Sequence, residues 1–234
     1  MNLTDHQILI VGGGSGIGRA TKEFLEGRGA KLTVATRSAD QCDFAAQPFD
    51  ATDPDAALNL PERLDSVIYF PGTINLKPFN RLGMDDFTND FQINLLGAVR
   101  VIQLALPALK RSASDNASIT LFSSVAATTG MPFHASIASS KAAVEGLTRS
   151  LAAEFAPRIR VNAIAPSLTD TPLASQIISS GEAREAAANR HPLKRIGAPE
   201  ELAEMVAFLA SDASRFITGQ IFGVDGGLSS IRKF

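Results

Sequence analysis

One cysteine, Cys42, is the whole of the chain's thiol chemistry. It has no partner for an internal disulfide and no neighbours at zinc-site spacing, so it reads as a small, partly buried residue. Positive charge is also scarce. The formal net charge is −2 and no run of Lys or Arg exceeds two, which excludes a basic field for nucleic acid. No apolar run reaches the roughly 18 residues a membrane span needs. The N-terminal MNLTDHQILIVGGG lacks a basic n-region, so no signal peptide is expected. Linkers, low-complexity tracts and repeats are missing as well. The 234 residues, 45% apolar and 20% charged, suffice for one cored α/β domain spanning 1–234. A cytoplasmic enzyme or binding protein is expected, with no nucleic-acid or membrane partner and no metal.

Gln7 to Val11 (QILIV) is an apolar, strand-type run, followed by GGGSGIG from Gly12 to Gly18 and a helix from about Ile17 to Glu26 with Ala20, Phe24 and Leu25 inward. Strand, glycine loop and helix N-terminus together form an anion site. Gly12 permits the turn, Gly16 admits a pyrophosphate and Gly18 lets helix and strand approach. A second strand, Lys31 to Thr36, ends at Arg37-Ser38, where doubly wound folds meet the adenosine ribose. An acid there would accept from a free 2′-hydroxyl. A guanidinium beside a hydroxyl suits a 2′-phosphate instead, so NADP(H) is favoured over NAD(H).

Near the middle, TLFSSVAATTGMPFHASIASSKAAVEGLTRSLAAE runs from Thr120 to Glu154. A buried strand end leads through a loop into a long helix with apolar residues at Ala143, Leu147, Leu151 and Phe155, and Val144 beside them. This stretch resembles the active-site segment of the short-chain dehydrogenase/reductase family, in which a Ser precedes a Tyr by thirteen residues and the Tyr precedes a Lys by four. Ser124 and Lys141 hold the first and last positions, and Ile137 stands where the tyrosine would be. The resemblance extends over essentially the whole chain. It implies a single-domain, Rossmann-type doubly wound parallel sheet of about seven strands with helices on both faces.

The same resemblance assigns further residues. Ser15 and Ile17 join the glycine loop at the cofactor. Phe49-Asp50-Ala51-Thr52-Asp53 matches the segment after the third strand whose acid, here Asp50, borders the adenine with Ala51. Asp53 reads as the cap of a helix from Pro54 to Leu60. The short interval from Arg37 to Asp50 leaves little or no crossover helix. Where relatives read Asn-Asn-Ala-Gly, this chain has Tyr69-Phe70-Pro71-Gly72 and keeps only Gly72. Tyr69, its one tyrosine, reads as core or cofactor-flanking. In the helix from Asp85 to Leu109, with Phe87, Phe91, Leu95, Val99, Ile102 and Leu106 as its apolar stripe, Asn94 falls where the family kinks the helix beside the lysine. Pro166-Ser167-Leu168-Thr169-Asp170-Thr171 matches the ends of the family's Pro-Gly-x-Val/Ile-x-Thr and assigns Pro166, Thr169 and Thr171 to the nicotinamide end, with Lys141 on its ribose. Residues 168–195 read as one or two mobile helices over the substrate. Last come a helix from Glu200 to Leu209 and a strand from Gln220 to Val224.

In relatives the tyrosine exchanges the proton while nicotinamide exchanges the hydride. Ile137 has no proton to exchange, and losing a positioned acid costs about 10²–10⁴ in rate. One expectation is an NADP(H)-dependent oxidoreductase acting on a small carbonyl or alcohol, or an activated C=C, with Ser124, Lys141 and Asn94 retained and another proton source. His134, seven residues before Lys141, is the candidate, because related enoyl-thioester reductases carry their tyrosine at that spacing and imidazole titrates near neutrality. A catalytically silent NADP(H)-binding sensor or partner subunit, or a structural subunit without ligand, remains open. Relatives suggest a homodimer or homotetramer.

Overall fold

The computed structural model describes residues 3–114 and 116–232. Seven parallel strands form one sheet in the order β3-β2-β1-β4-β5-β6-β7: β1 Gln7–Val11, β2 Lys31–Thr36, β3 Gln47–Pro48, β4 Ser66–Tyr69, β5 Ala117–Phe122, β6 Ile159–Pro166 and β7 Ile221–Val224. Successive side chains of β1 go to opposite faces, so Leu9 and Val11 join one apolar cluster and Ile8 and Ile10 the other. Each face is covered by helices, which is why the strands read as continuous apolar runs. The helices α1 Gly16–Glu26 and α6 Pro199–Ala210 cover one face. The other takes α2 Met84–Phe91, α3 Gly97–Leu109 and α4 Ala135–Phe155. α5 Gly181–Arg190 lies in the segment between β6 and α6. The strand order reverses between β1 and β4, so their C-terminal ends open the crevice in which such sheets bind ligands.

Two details differ from the sequence reading, while the long helix breaks at Asn94, where a kink was expected. Pro54–Leu60 forms no helix. The Arg100 guanidinium takes the carbonyls of Asp50, Asp53, Pro54 and Ala56, withdrawing acceptors a helix needs, while the Gln47 side-chain amide brackets Asn59. Asp53 instead accepts the Asp55 amide at 2.9 Å in a local turn.

The long helix is not uniform. A π-helical turn, Gln92–Leu96, separates α2 from α3, and the Asn94 side chain donates to the Asp90 carbonyl at 2.8 Å, taking the acceptor an α-helical amide would use. By length and composition Met84–Leu109 could cross a membrane. Here it packs on the sheet through Ala98, Val101, Ile102, Ala105 and Leu109.

The second difference is rotational. The stripe of Phe87, Phe91, Leu95, Val99 and Leu106, and that of Ala143, Leu147, Leu151 and Phe155, are only half-buried. The deepest faces carry small or polar residues, among them Asp90 and Asn94 on one side and Ser136, Ser140, Lys141 and Thr148 on the other.

Candidate active site

The C-terminal ends of β1, β2 and β4 and the glycine loop enclose a cleft of about 290 Å³. Gly12, Ser15, Gly16, Ile17, Gly18, Arg37, Ser38, Asp50, Ala51, Gly72 and Thr171 all line it. Lys141, Pro166 and Thr169 lie in an adjoining cavity of about 250 Å³ that shares Ile17, Gly72 and Thr171 with the first. The loop is built for close approach. A Cβ on Gly18 would sit 2.2 Å from the Gly12 carbonyl oxygen, and Gly12 itself has φ +84°. Ser15 occupies the cap position of α1 without a side-chain capping bond, which leaves the first-turn amides of that helix free for an anion. The donor set and the steric demand both fit a dinucleotide pyrophosphate.

At the rim, Arg37 and Ser38 are exposed, and no acceptor among the described residues engages the Arg37 guanidinium. Asp50 accepts the Thr52 amide at 2.8 Å and its hydroxyl at 2.7 Å. Those two bonds hold its pKa below the usual carboxylate value against partial burial, and Arg37 and Arg100 add to the effect. Tyr69 forms the floor. Its hydroxyl donates to the Ile93 carbonyl at 2.6 Å, and burial, with Asp50 adding, pushes its pKa up. A phenol so occupied is wall, not acid.

The second cavity contains the catalytic-type residues. Lys141 is buried, donates to the Phe122 carbonyl at 2.9 Å, and has its pKa brought down to about 8 by burial, with the charge of Asp90 opposing. A Cβ on Gly72 would lie 3.2 Å from Asn94 Oδ1 and 3.3 Å from Lys141 Nζ, so these two side chains flank one point of the crevice. Asn94 lies behind the wall, donating to Thr73 Oγ1 at 2.9 Å as well as to Asp90. Ser124 lines the cavity with its oxygen accepting the Ala126 amide at 3.2 Å. Its neighbour Ser123 turns away to Glu145 at 2.9 Å. Ile137 is buried in the cavity wall. His134 precedes α4 and lies on the same helix face as Ile137 and Lys141, about 10 Å along the axis from the lysine. Its Nδ1 donates to the Pro132 carbonyl at 2.7 Å, and the residue lines the cavity.

The enoyl-(acyl carrier protein) reductase family model matches residues 12–229. The chain is a short-chain dehydrogenase/reductase. Among curated relatives, the 3-oxoacyl-[acyl-carrier-protein] reductase FabG of Thermotoga maritima is 35% identical, over 97% of this chain and 99% of the relative. Cis-4-hydroxycyclohexanecarboxylate dehydrogenase of Sinomonas cyclohexanicum is 34% identical, over 95% and 96%. Among solved structures, the aldohexose dehydrogenase of Thermoplasma acidophilum superposes with a TM-score of 0.90 at 30% identity, covering 99% of this chain and 97% of that one. The sheet, its crossovers and the nucleotide-binding crevice are therefore those of an oxidoreductase family.

Two clusters in this dehydrogenase/reductase escaped the sequence reading. Asp90 is fully buried, accepting from Thr73 Oγ1 at 2.6 Å and from Ser136 Oγ at 2.5 Å. It joins α2, the loop after β4 and the start of α4, and its charge favours the Lys141 ammonium. Asp90→Asn is expected to remove that support and lower the lysine's pKa further, so the alkaline limb of NADPH binding moves to lower pH. Titrations from pH 6 to 10 would show it; an unmoved limb would refute the coupling. The second cluster is Ser167 with His191, which line the same cavity and share a hydrogen bond of 2.8 Å.

Proposed function

We propose that this protein is an NADP(H)-dependent oxidoreductase that interconverts a small carbonyl and alcohol, or reduces an activated C=C, with a proton source other than tyrosine. The observation that carries the reading is the continuity of the glycine-loop cleft with a cavity that retains both Ser124 and Lys141. Bound nicotinamide would supply or accept the hydride. The chain's own groups do the rest. The α1 amides and Gly12–Gly18 hold the pyrophosphate, Asp50 and Ala51 border the adenine, and Lys141 grips the nicotinamide ribose with Asn94 bracing its surroundings. Pro166, Thr169 and Thr171 border the nicotinamide end, and Ser124 orients the substrate oxygen. Two imidazoles that line the cavity, those of His134 and His191, can hold a proton there. Residues 168–195 act as the lid.

The exposed, unengaged Arg37 and the absence of an acid at the end of β2 support NADP(H) over NAD(H); a Pseudomonas aeruginosa relative's structure is an NADP active-site complex. Titration with NADPH and, separately, NADH tests this. NADPH should bind well ahead, and Arg37→Ala should cut that advantage about tenfold or more, the worth of one charge-assisted hydrogen bond. Equal binding of both nucleotides would refute the preference, and binding of neither would refute the enzyme. Turnover is then assayed with a 3-oxoacyl thioester, 4-oxocyclohexanecarboxylate and an aldohexose. Silence of the wild type beside an active Ile137→Tyr would favour the sensor reading. A cytoplasmic homodimer or homotetramer fits the half-buried stripes on α2–α3 and α4 and the exposed Leu96 and Leu104.

A further inference from the structure

Where the family pattern reads Pro-Gly, this chain has Pro166-Ser167 after β6, so a hydroxyl stands at the glycine position. That hydroxyl is bonded. His191, buried at the end of α5, has Nδ1 2.9 Å from the Ala187 carbonyl and Nε2 2.8 Å from Ser167 Oγ. A carbonyl only accepts, so the proton of the neutral ring is on Nδ1 and Nε2 accepts from the serine hydroxyl. The ring lies beside Gly226, where an added Cβ would stand 3.6 Å from its Cβ and Cδ2. Asp225, on the same turn, lies close enough to interact electrostatically with it. The other charged or titratable groups lining the cavity are His134, Lys141 and Arg190; among the described residues no Asp or Glu lines it. Ser167 and His191 therefore have the arrangement of a hydroxyl with an oriented base, in the cavity that holds Ser124, Lys141 and Ile137.

We propose that Ser167 and His191 form the proton relay that replaces the tyrosine. The proposal rests on the oxidoreductase reading and assigns its proton source. In alcohol oxidation the substrate O–H bond breaks and its proton passes to Ser167 Oγ. The serine's own proton passes to His191 Nε2, and the carbon gives its hydride to the oxidised nicotinamide. In reduction each transfer reverses. The imidazolium Nε2–H protonates Ser167, whose O–H proton goes to the carbonyl oxygen as the carbon takes hydride from NADPH. Since Nδ1 stays on the Ala187 carbonyl, the ring regains its proton through Ser167 from cleft water after product leaves.

The test compares Ser167→Gly, which restores the family residue and so should fold, with His191→Gln, His134→Phe and the double variant Ser167→Gly/Ile137→Tyr. NADPH affinity, melting temperature and turnover on the three carbonyls are read from pH 5 to 9. Ser167→Gly should keep affinity and melting temperature, lose turnover about 10²-fold or more, and lose the near-neutral limb of the pH profile. The added tyrosine should rescue it. A second readout needs neither cofactor nor substrate. The chain has 3 histidines, so their imidazole nitrogens can be assigned by NMR. His191 should show the Nδ1–H tautomer, and its Nε2 resonance should move in Ser167→Gly, where the serine donor is gone. Wild-type turnover in Ser167→Gly, loss of turnover in His134→Phe alone, or an Nε2–H tautomer at His191 would each overturn the relay. NADPH binding tests the wider reading separately.

Discussion

Gly18→Ala is expected to reduce NADPH affinity about 100-fold or more and to destabilise the fold. Its Cβ would stand 2.2 Å from the Gly12 carbonyl oxygen, 3.0 Å from the Gly12 carbonyl carbon and 3.1 Å from Gly13 Cα. All three are backbone atoms of the loop itself, so no flexible side chain can yield. Either α1 moves away from β1 or the loop opens, and in both cases the helix N-terminus leaves the pyrophosphate. Overpacking of this kind costs about 1–3 kcal/mol, partly offset by alanine's helix preference of up to about 1 kcal/mol. Gly146→Ala in α4 is the control, since nothing lies within 4 Å of its Cβ; it should gain stability by about 0.5–1 kcal/mol. Nucleotide fluorescence and thermal melts read both variants. Near-wild-type affinity in Gly18→Ala would mean that the loop does not hold the nucleotide as closely as its geometry implies.

The positions legible in the sequence are those whose chemistry is local. Gly12, Gly16 and Gly18 announce themselves because strand, turn and helix follow within one short segment, and Arg37 because the end of β2 is a fixed place in such a sheet. Ser124, Lys141 and Asn94 are read by spacing along one strand-loop-helix unit and one neighbouring helix. The half-buried stripes of α3 and α4 misled for a physical reason. Period alone identifies an apolar face, but small residues such as Ala98, Ala105 and Ala152 are what let a helix lie deepest against a sheet. Pro54–Leu60 looked helical because its residues tolerate a helix; the competitor was Arg100, far along the chain, collecting its carbonyls. Asp90 sits among the polar residues of α2 and reads as a solvated face until Thr73 and Ser136 are folded over it. The Ser167–His191 contact spans 24 residues and exists only because α5 folds back on the end of β6. Its one sequence trace was a serine in place of the family glycine, with a histidine just past the end of α5.

Lys141→Met should separate stability from function most sharply. Burial brings the lysine's pKa from 10.5 to about 8. At neutral pH it is charged in both the folded and unfolded states, and the folded state bears a cost of roughly 3 kcal/mol at 1.36 kcal/mol per unit. Between pH 8 and 10.5 the unfolded chain binds the extra proton, so this cost fades and stability rises with pH across that window. Methionine of similar length removes the buried charge but leaves the Phe122 carbonyl without its donor, a loss of about 1–3 kcal/mol. The two nearly cancel, so the variant should melt at or a few degrees above the wild type at pH 7 and lack the alkaline rise. NADPH affinity should fall at least about tenfold, the worth of a charged hydrogen bond to the ribose, and turnover should fall about 10²-fold or more. A protein under no demand for that ammonium gains little by burying it. A Lys141→Met variant that unfolds while the wild type shows no alkaline rise would instead make the lysine a structural strut.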